Sequence, residues 1–213
     1  MVSTPVIVGL RNGLTGFPSV RLEAKRLYLR PPKPQDWAAW ADLRAESRAF
    51  LTPWEPTWPP DGLSRRCFMQ RLRSQVSDWR DDRGYTLLIF AFNDRLLGGI
   101  SLTHVRRGVA QTASLGYWIG APFARRGYMR ESVCTVLDFA FESAGLHRVE
   151  AACLPSNDAS RCLLESVGFR REGFARAYLR IAGAWRDHLL FGILNNEFRR
   201  ADQPPGLARQ GRE

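Results

Sequence analysis

Lysine is nearly missing from this sequence. Of its 31 basic residues only Lys25 and Lys33 are lysines, and the rest are arginines. The charge is nonetheless high, +10 at pH 7 with a pI near 10.3. Such a surface draws in anions, whether nucleotides, nucleic acid or acidic assemblies such as ribosomes, and it repels polycationic small molecules. Long apolar runs are also lacking. No segment approaches the ~20 residues that cross a bilayer. The start, "MVSTPVIVGLRNG", has neither the basic leader nor the apolar length of a signal peptide. A cytoplasmic protein with no membrane partner is the expectation. The four cysteines, Cys67, Cys134, Cys153 and Cys162, form no C-x-x-C pair and lie among apolar neighbours. Buried, reduced thiols are therefore expected, not zinc ligands or disulfides. His104 and His147 stand far apart without metal-ligand spacing, so no metal site is expected.

No internal repeat or long linker divides the 213 residues. They are read as a terminal extension over 1–20, one domain over 21–198 and a disordered tail over 199–213. "RLYLR" (26–30) is a short strand stopped by Pro31-Pro32. Asp36 opens a helix carrying Trp37, Trp40, Leu43 and Leu51. "TPWEPTWPP" (52–60) is a rigid aromatic loop, and Phe68, Leu72, Val76 and Trp79 form the stripe of a second helix. Strands over 85–92, 95–105 and 112–120 follow as an antiparallel meander with tight turns. Met129, Val133, Val136, Leu137, Ala140 and Ala144 share the face of a long helix that Gly145 stops. "HRVEAACL" (147–154), reached by that helical crossover, should pair parallel with an earlier strand. A short helix after "PSNDAS" and two last strands, "FARAYLRI" and "AWRDHLLFGIL", complete a mixed α/β sheet with helices on both faces.

Between the third meander strand and the long helix lies "FARRGYMR" (123–130). A helix start carries unpaired N–H groups and partial positive charge. Gly127 lets a ligand approach the backbone. Arg125, Arg126 and Arg130 add charge suited to phosphate oxygens. Together they can cradle a pyrophosphate, although a solvated basic turn would read almost the same way. No Gly-Lys-Ser/Thr follows, and the further glycines of a dinucleotide fingerprint are missing.

Taken together, "LGYWIG", "ARRGYM", "EAACLPSNDASRCLLESVGFRREG" and "YLRIAGAWRDHLLFGIL" resemble the GNAT acetyltransferase superfamily. They are most similar to its RimJ/RimL-type ribosomal-protein N-terminal acetyltransferases, over about Arg21 to Ile193. The resemblance implies the GNAT fold: a central, mostly antiparallel mixed sheet of about seven strands, with its fourth and fifth strands splayed apart. It also implies acetyl-CoA as cofactor. The pyrophosphate would lie on the backbone N–H groups of Arg125, Arg126, Gly127, Tyr128, Met129 and Arg130. Pantetheine would pair with the free edge at Trp118 and Ile119 and touch Asn157. Two positions depart from the superfamily pattern Q/R-x-x-G-x-G/A: Ala124 replaces its first residue and Met129 its last. The methionine is familiar in Rim-type relatives.

Acetyl transfer to an amine needs deprotonation of the ammonium, a donor for the oxyanion and a donor for the leaving sulphur. A backbone N–H near Trp118 and Ile119 suits the oxyanion. The tyrosine that many GNAT enzymes use as acid falls at Leu164 here. The resemblance instead places Ser160 near the coenzyme A sulphur, where a serine in a first helical turn is also explained by capping. The glutamate of some alanine-directed relatives falls at Ala152. Glu55 of the "PWEP" loop is the candidate that holds or deprotonates the amine, and loop carboxylates are otherwise often caps. Asp187 or His188 is a second candidate; alternation along a strand puts them on opposite faces. Deprotonation through ordered water stays open. Trp54 and Trp58, set among prolines, could wall a peptide cleft.

The leading expectation is transfer to the N-terminal α-amine of a protein, of ribosomal-protein type, by a monomer or homodimer that approaches ribosomes through its basic surface. The alternatives are an antibiotic or polyamine N-acetyltransferase, disfavoured by the +10 charge, and a non-catalytic basic protein. Arg65, Arg66, Arg71 and Arg73 on one helix would serve the last.

Overall fold

The computed structural model describes residues 18–198. Both expected terminal segments, 1–17 of the extension and the tail over 199–213, lie outside the described residues. Eight strands form one sheet: β1 (Leu22–Glu23), β2 (Leu27–Arg30), β3 (Tyr85–Ala91), β4 (Leu96–Arg106), β5 (Thr112–Ile119), β6 (Arg148–Cys153), β7 (Arg170–Ile181) and β8 (Ala184–Leu194). The helices are α1 (Trp37–Glu46), α2 (Arg48–Leu51), α3 (Arg65–Arg80), α4 (Tyr128–Asp138) and α5 (Asp158–Val167). Spatial order is β1-β2-β3-β4-β5-β6-β8-β7, and among the described residues the single parallel pair is β5 with β6. The added strand relative to the expected seven is β1, two residues folded back on β2, too short to leave a period in the sequence.

The longer helices each bury one stripe. Along α3 these are Phe68, Leu72 and Trp79, and Ser64 caps the helix by accepting the Cys67 N–H at 3.2 Å. Helices α1 and α3 pack on one face of the sheet, α4 and α5 on the other. The core between them includes Leu27, Leu29, Ile89, Leu102, Val133, Leu137, Val149 and Ile193, all at most 0% exposed.

Three expectations need correction. The helix opened by Asp36 does not run through to Leu51; it breaks at Ser47, and Leu51 belongs to the short α2. Ser47 is fully buried, and its Oγ accepts the Ala121 N–H at 2.9 Å, so the break fastens the chain just after β5. The long helix leaves α geometry at Phe139 for a π turn over Phe139–Ser143 before Gly145 turns left-handed at φ 62°. A π turn adds one residue per hydrogen-bonded ring, which rotates Phe139, Ala140 and Phe141 all into the core. Finally, only Cys153 is buried; Cys67 and Cys134 are half-buried and Cys162 is exposed on α5. Apolar neighbours in sequence point to the other face of a helix. Among the described residues all four are free thiols.

The surface is fastened by arginine. Arg107 links the turn after α3 to the end of the π turn. Its Nε and Nη2 donate to Asp82 at 2.6 and 2.8 Å, and its Nη1 donates to the Ala144 carbonyl at 2.6 Å. Arg107 holds the Asp82 carboxyl below the usual carboxylate range. A lowered native pKa stabilises above the unfolded value and is lost as pH falls through the folded one. Asp82→Asn should therefore lower Tm at pH 7 and leave it nearly unchanged at about pH 2. Calorimetry at both pH values checks this; equal losses at the two would sink the linkage.

No helix among the described residues is long and apolar enough to cross a membrane.

Candidate active site

The site is built where β5 and β6 part. Their parallel pairing runs from Thr112↔Arg148 to Leu115↔Ala151 and stops. On its other side β5 stays paired with β4 to the end, Trp118 opposite Gly99 and Ile119 opposite Gly98. Residues 116–119 therefore have a strand partner on one side only. This is the splay expected at Trp118 and Ile119. Gly99 has a specific part in it: a Cβ there would come within 2.5 Å of the Trp118 indole nitrogen, so only glycine lets the ring lie flat on β4.

One side of the splay carries the basic loop. After a single turn at Ala121–Phe123, Arg125 takes φ 59° and Gly127 φ 80°, both left-handed. Gly127 is the N-cap of α4 and supplies no side-chain cap. The first N–H groups of α4, on Tyr128, Met129 and Arg130, are thus left for an outside acceptor. Arg125, Arg126, Gly127 and Arg130 are exposed, whereas the Met129 side chain is in the core, so only its backbone can meet a ligand. Sequence reading missed Arg26, which holds this loop from below. Its backbone N–H and Nε donate to Glu131 at 2.6 and 2.8 Å, and its Nη1 donates to the Arg126 carbonyl at 3.2 Å. The partner lies 105 residues away in sequence, beyond any local pattern.

Next to the loop stands α5, which packs on α4. Asn157 caps it: Oδ1 accepts the Ser160 N–H at 3.1 Å. The Ser160 hydroxyl is 2.7 Å from the Tyr117 phenol. Burial pushes Tyr117 up to about 12, with the Ser160 bond acting against it. Burial also raises the nearby Cys153 thiol, again opposed by Ser160. Leu164, where a tyrosine acid would stand in many relatives, is 0% exposed and serves the core.

On the opposite face, under α1 and α3, a cavity of about 540 Å³ opens against β3, β4 and β5. Trp40, Trp58, Phe68 and Trp118 wall it, with Pro56 and Pro59. Of the two loop tryptophans, Trp58 is in this wall and Trp54 lines no part of the cavity. Glu55 reaches the cavity but is not a free carboxylate. It holds Arg44 in a two-pronged ion pair, Nη1 to Oε1 at 3.2 Å and Nη2 to Oε2, and accepts the Trp58 indole N–H at 2.7 Å. Arg44 is buried, and its guanidinium lies over the rings of Trp58, Trp118 and Trp40 at 4.3, 4.9 and 5.6 Å. The backbone oxygen of Glu55 accepts the Ala182 N–H at 2.9 Å, which closes the β7–β8 turn over the loop.

The remaining candidates separate. Asp187 and His188 do lie on opposite faces: Asp187 is exposed and accepts the Ala177 N–H at 2.7 Å, whereas His188 is 3% exposed against Tyr178. Neither lines the cavity. No cluster of metal-ligating side chains occurs among the described residues.

A family model described as "Acetyltransferase (GNAT) domain" matches residues 26–170. The chain belongs to the GNAT acetyltransferase family. It is an acetyl-CoA-dependent N-acetyltransferase. The probable N-acetyltransferase YjcK of Bacillus subtilis is 35% identical over 175 residues, 82% of this chain and 97% of that protein. The [ribosomal protein uS5]-alanine N-acetyltransferase of Escherichia coli is 33% identical, over 84% of this chain and 93% of its own. The structure of Mycobacterium smegmatis RimJ in complex with CoA-disulfide superposes with a TM-score of 0.79 at 30% identity, over 91% and 92% of the two chains. The GNAT acetyltransferase described here thus shares the fold of that RimJ over nearly its whole described length.

Proposed function

We propose that this GNAT enzyme acetylates the N-terminal α-amine of a protein, of ribosomal-protein type. The observation that carries the proposal is the placement of the two half-sites. The uncapped α4 start and the one-sided end of β5 suit the pyrophosphate and pantetheine of coenzyme A. The aromatic, proline-walled cavity lies on the other face of the same strand end.

Arg125 to Arg130 hold the pyrophosphate through backbone N–H groups, with arginine side chains adding charge. Trp118 and Ile119 offer main-chain partners to pantetheine, and the Asn157 amide nitrogen contacts that arm, its oxygen being engaged in the helix cap. Acetyl-CoA supplies a thioester: a C–N bond forms as the C–S bond breaks, the sulphur keeps the electron pair, and the amine's proton passes to water. Ser160 donates a hydrogen bond to that sulphur. An α-amine has a pKa near 8, so at neutral pH an appreciable fraction is already the free base, and water suffices to take the proton. Glu55, engaged on both oxygens, acts on the acceptor side only by anchoring Arg44 in the cavity wall; it is not a proton acceptor.

The cavity's ionisable lining, Arg44 and Arg71 against Glu55 and Asp78, carries no excess of negative charge. This disfavours antibiotic and polyamine acceptors, whose several positive charges need an acidic cleft. The relative that acts on uS5 points to an N-terminal alanine acceptor, and the +10 charge would help the enzyme approach ribosomal RNA. The test compares protein N-termini by mass spectrometry in cells with and without the enzyme. At least one N-terminus, expected among ribosomal proteins, loses its acetyl group in the deletion. An unchanged set of acetylated N-termini refutes the protein acceptor.

A further inference from the structure

Ser160 does not act from α5 alone. Its hydroxyl meets the Tyr117 phenol at 2.7 Å, and Tyr117 lies two positions past Leu115, the last β5 residue paired with β6. The phenol therefore stands at the opening of the sheet. A phenol is a far stronger acid than an aliphatic alcohol, so in such a pair it is the better donor. With Tyr117 O–H donating and Ser160 Oγ accepting, the serine's own proton is left for a ligand at the opening or for the neighbouring Cys153 sulphur. An unrestrained hydroxyl proton would rotate to suit any neighbour. The Ser160 main chain is fixed as well, since its N–H is held by Asn157. Burial keeps the Tyr117 proton in place across the physiological range, with titration pushed up to about 12.

We propose that Tyr117 is a positioning residue for acetyl transfer: its phenol fixes the Ser160 hydroxyl so that the serine proton is presented to the coenzyme A sulphur. The inference rests on the role given to Ser160 above. Neither hydroxyl gives up its proton; both stabilise the sulphur as it takes the electron pair of the breaking C–S bond, and water later protonates it. The phenol missing from α5, where buried Leu164 stands, is supplied from β5.

A double-mutant cycle on the full chain tests this, with Tyr117→Phe, Ser160→Ala and the pair. Two readouts are used: kcat and KM with an acceptor peptide, and the thiol pKa of bound coenzyme A, followed by thiolate ultraviolet absorbance without any acceptor. Loss of one oriented hydrogen bond should lower kcat about tenfold in Tyr117→Phe and leave KM for acetyl-CoA unchanged. In the Ser160→Ala background the same change should matter by less than about twofold. The bound thiol pKa should rise equally in both single variants and the double. Difluorotyrosine at position 117, a stronger donor of the same shape, should lower it. A slow Ser160→Ala beside a Tyr117→Phe with wild-type rate and thiol pKa overturns the positioning role alone. So does an equal loss from Tyr117→Phe in both backgrounds. A Ser160→Ala variant with wild-type rate and thiol pKa overturns the assignment of Ser160 and this inference with it.

Discussion

Gly127→Pro abolishes coenzyme A binding while the domain stays folded. Gly127 holds φ at 80°, and proline locks φ near −65°, so the chain cannot enter α4 along its present path. The N–H groups of Tyr128, Met129 and Arg130 then point away from their common focus. A loss of more than about 100-fold in affinity follows if three such bonds, each near 1 kcal/mol net or more to a charged group, are forfeited together. Arg126→Ala should cost only about threefold, because an exposed charge contributes 1 kcal/mol or less. Titration calorimetry with coenzyme A compares the two. Circular dichroism separates loss of the site from loss of the fold. Comparable, small effects of both substitutions would mean that the pyrophosphate is held elsewhere.

Glu55→Ala loses stability first and activity as a consequence. The carboxylate is the counter-charge of Arg44, whose side chain is 8% exposed. Removing it strands a buried cation among three indole rings, a change that typically costs 3–5 kcal/mol, about a third to a half of a domain's stability. Glu55→Gln keeps the shape and one acceptor and should cost about half as much. Replacing both partners, Arg44→Met with Glu55→Leu, should recover most of the loss, since well-packed apolar residues often match a buried pair. Chemical denaturation of the four proteins gives the comparison. A Glu55→Ala variant of native stability but without activity would restore the carboxylate to a proton-transfer role.

How far the sequence carried is visible in Glu55. The "PWEP" loop marked a carboxylate among aromatics, and the cavity wall is where it lies. Its ion pair was not legible, because Arg44 sits on a helix that sequence alone joins smoothly to Leu51; the break at Ser47 becomes intelligible only through Ala121, a contact between distant segments. The strands of the meander and of the β7–β8 hairpin were legible from turns and alternation, and the basic loop from its glycine before an apolar helix. Tyr117 was hidden for a different reason. Within "LGYWIG" it reads as one more aromatic of a buried strand, and its phenol gains a purpose only because β6 departs two residues earlier and brings α5 alongside. Arg26 was hidden by distance: its partners are in α4 and the loop before it, and nothing near it in sequence announces them.

The ion pairs Arg26–Glu131, Arg30–Asp36, Arg44–Glu55, Arg107–Asp82 and Arg148–Glu172 have a chemical consequence beyond stability. A guanidinium stays protonated at any physiological pH and offers no lone pair for acylation. An enzyme that keeps an activated acetyl thioester at hand meets its own surface more often than any other protein's. Here that surface presents two side-chain amines, Lys25 and Lys33, both exposed and neither one a member of these pairs. Arginine thus holds the molecule together with cations that its own reaction cannot neutralise, and the fold is indifferent to accidental self-acetylation.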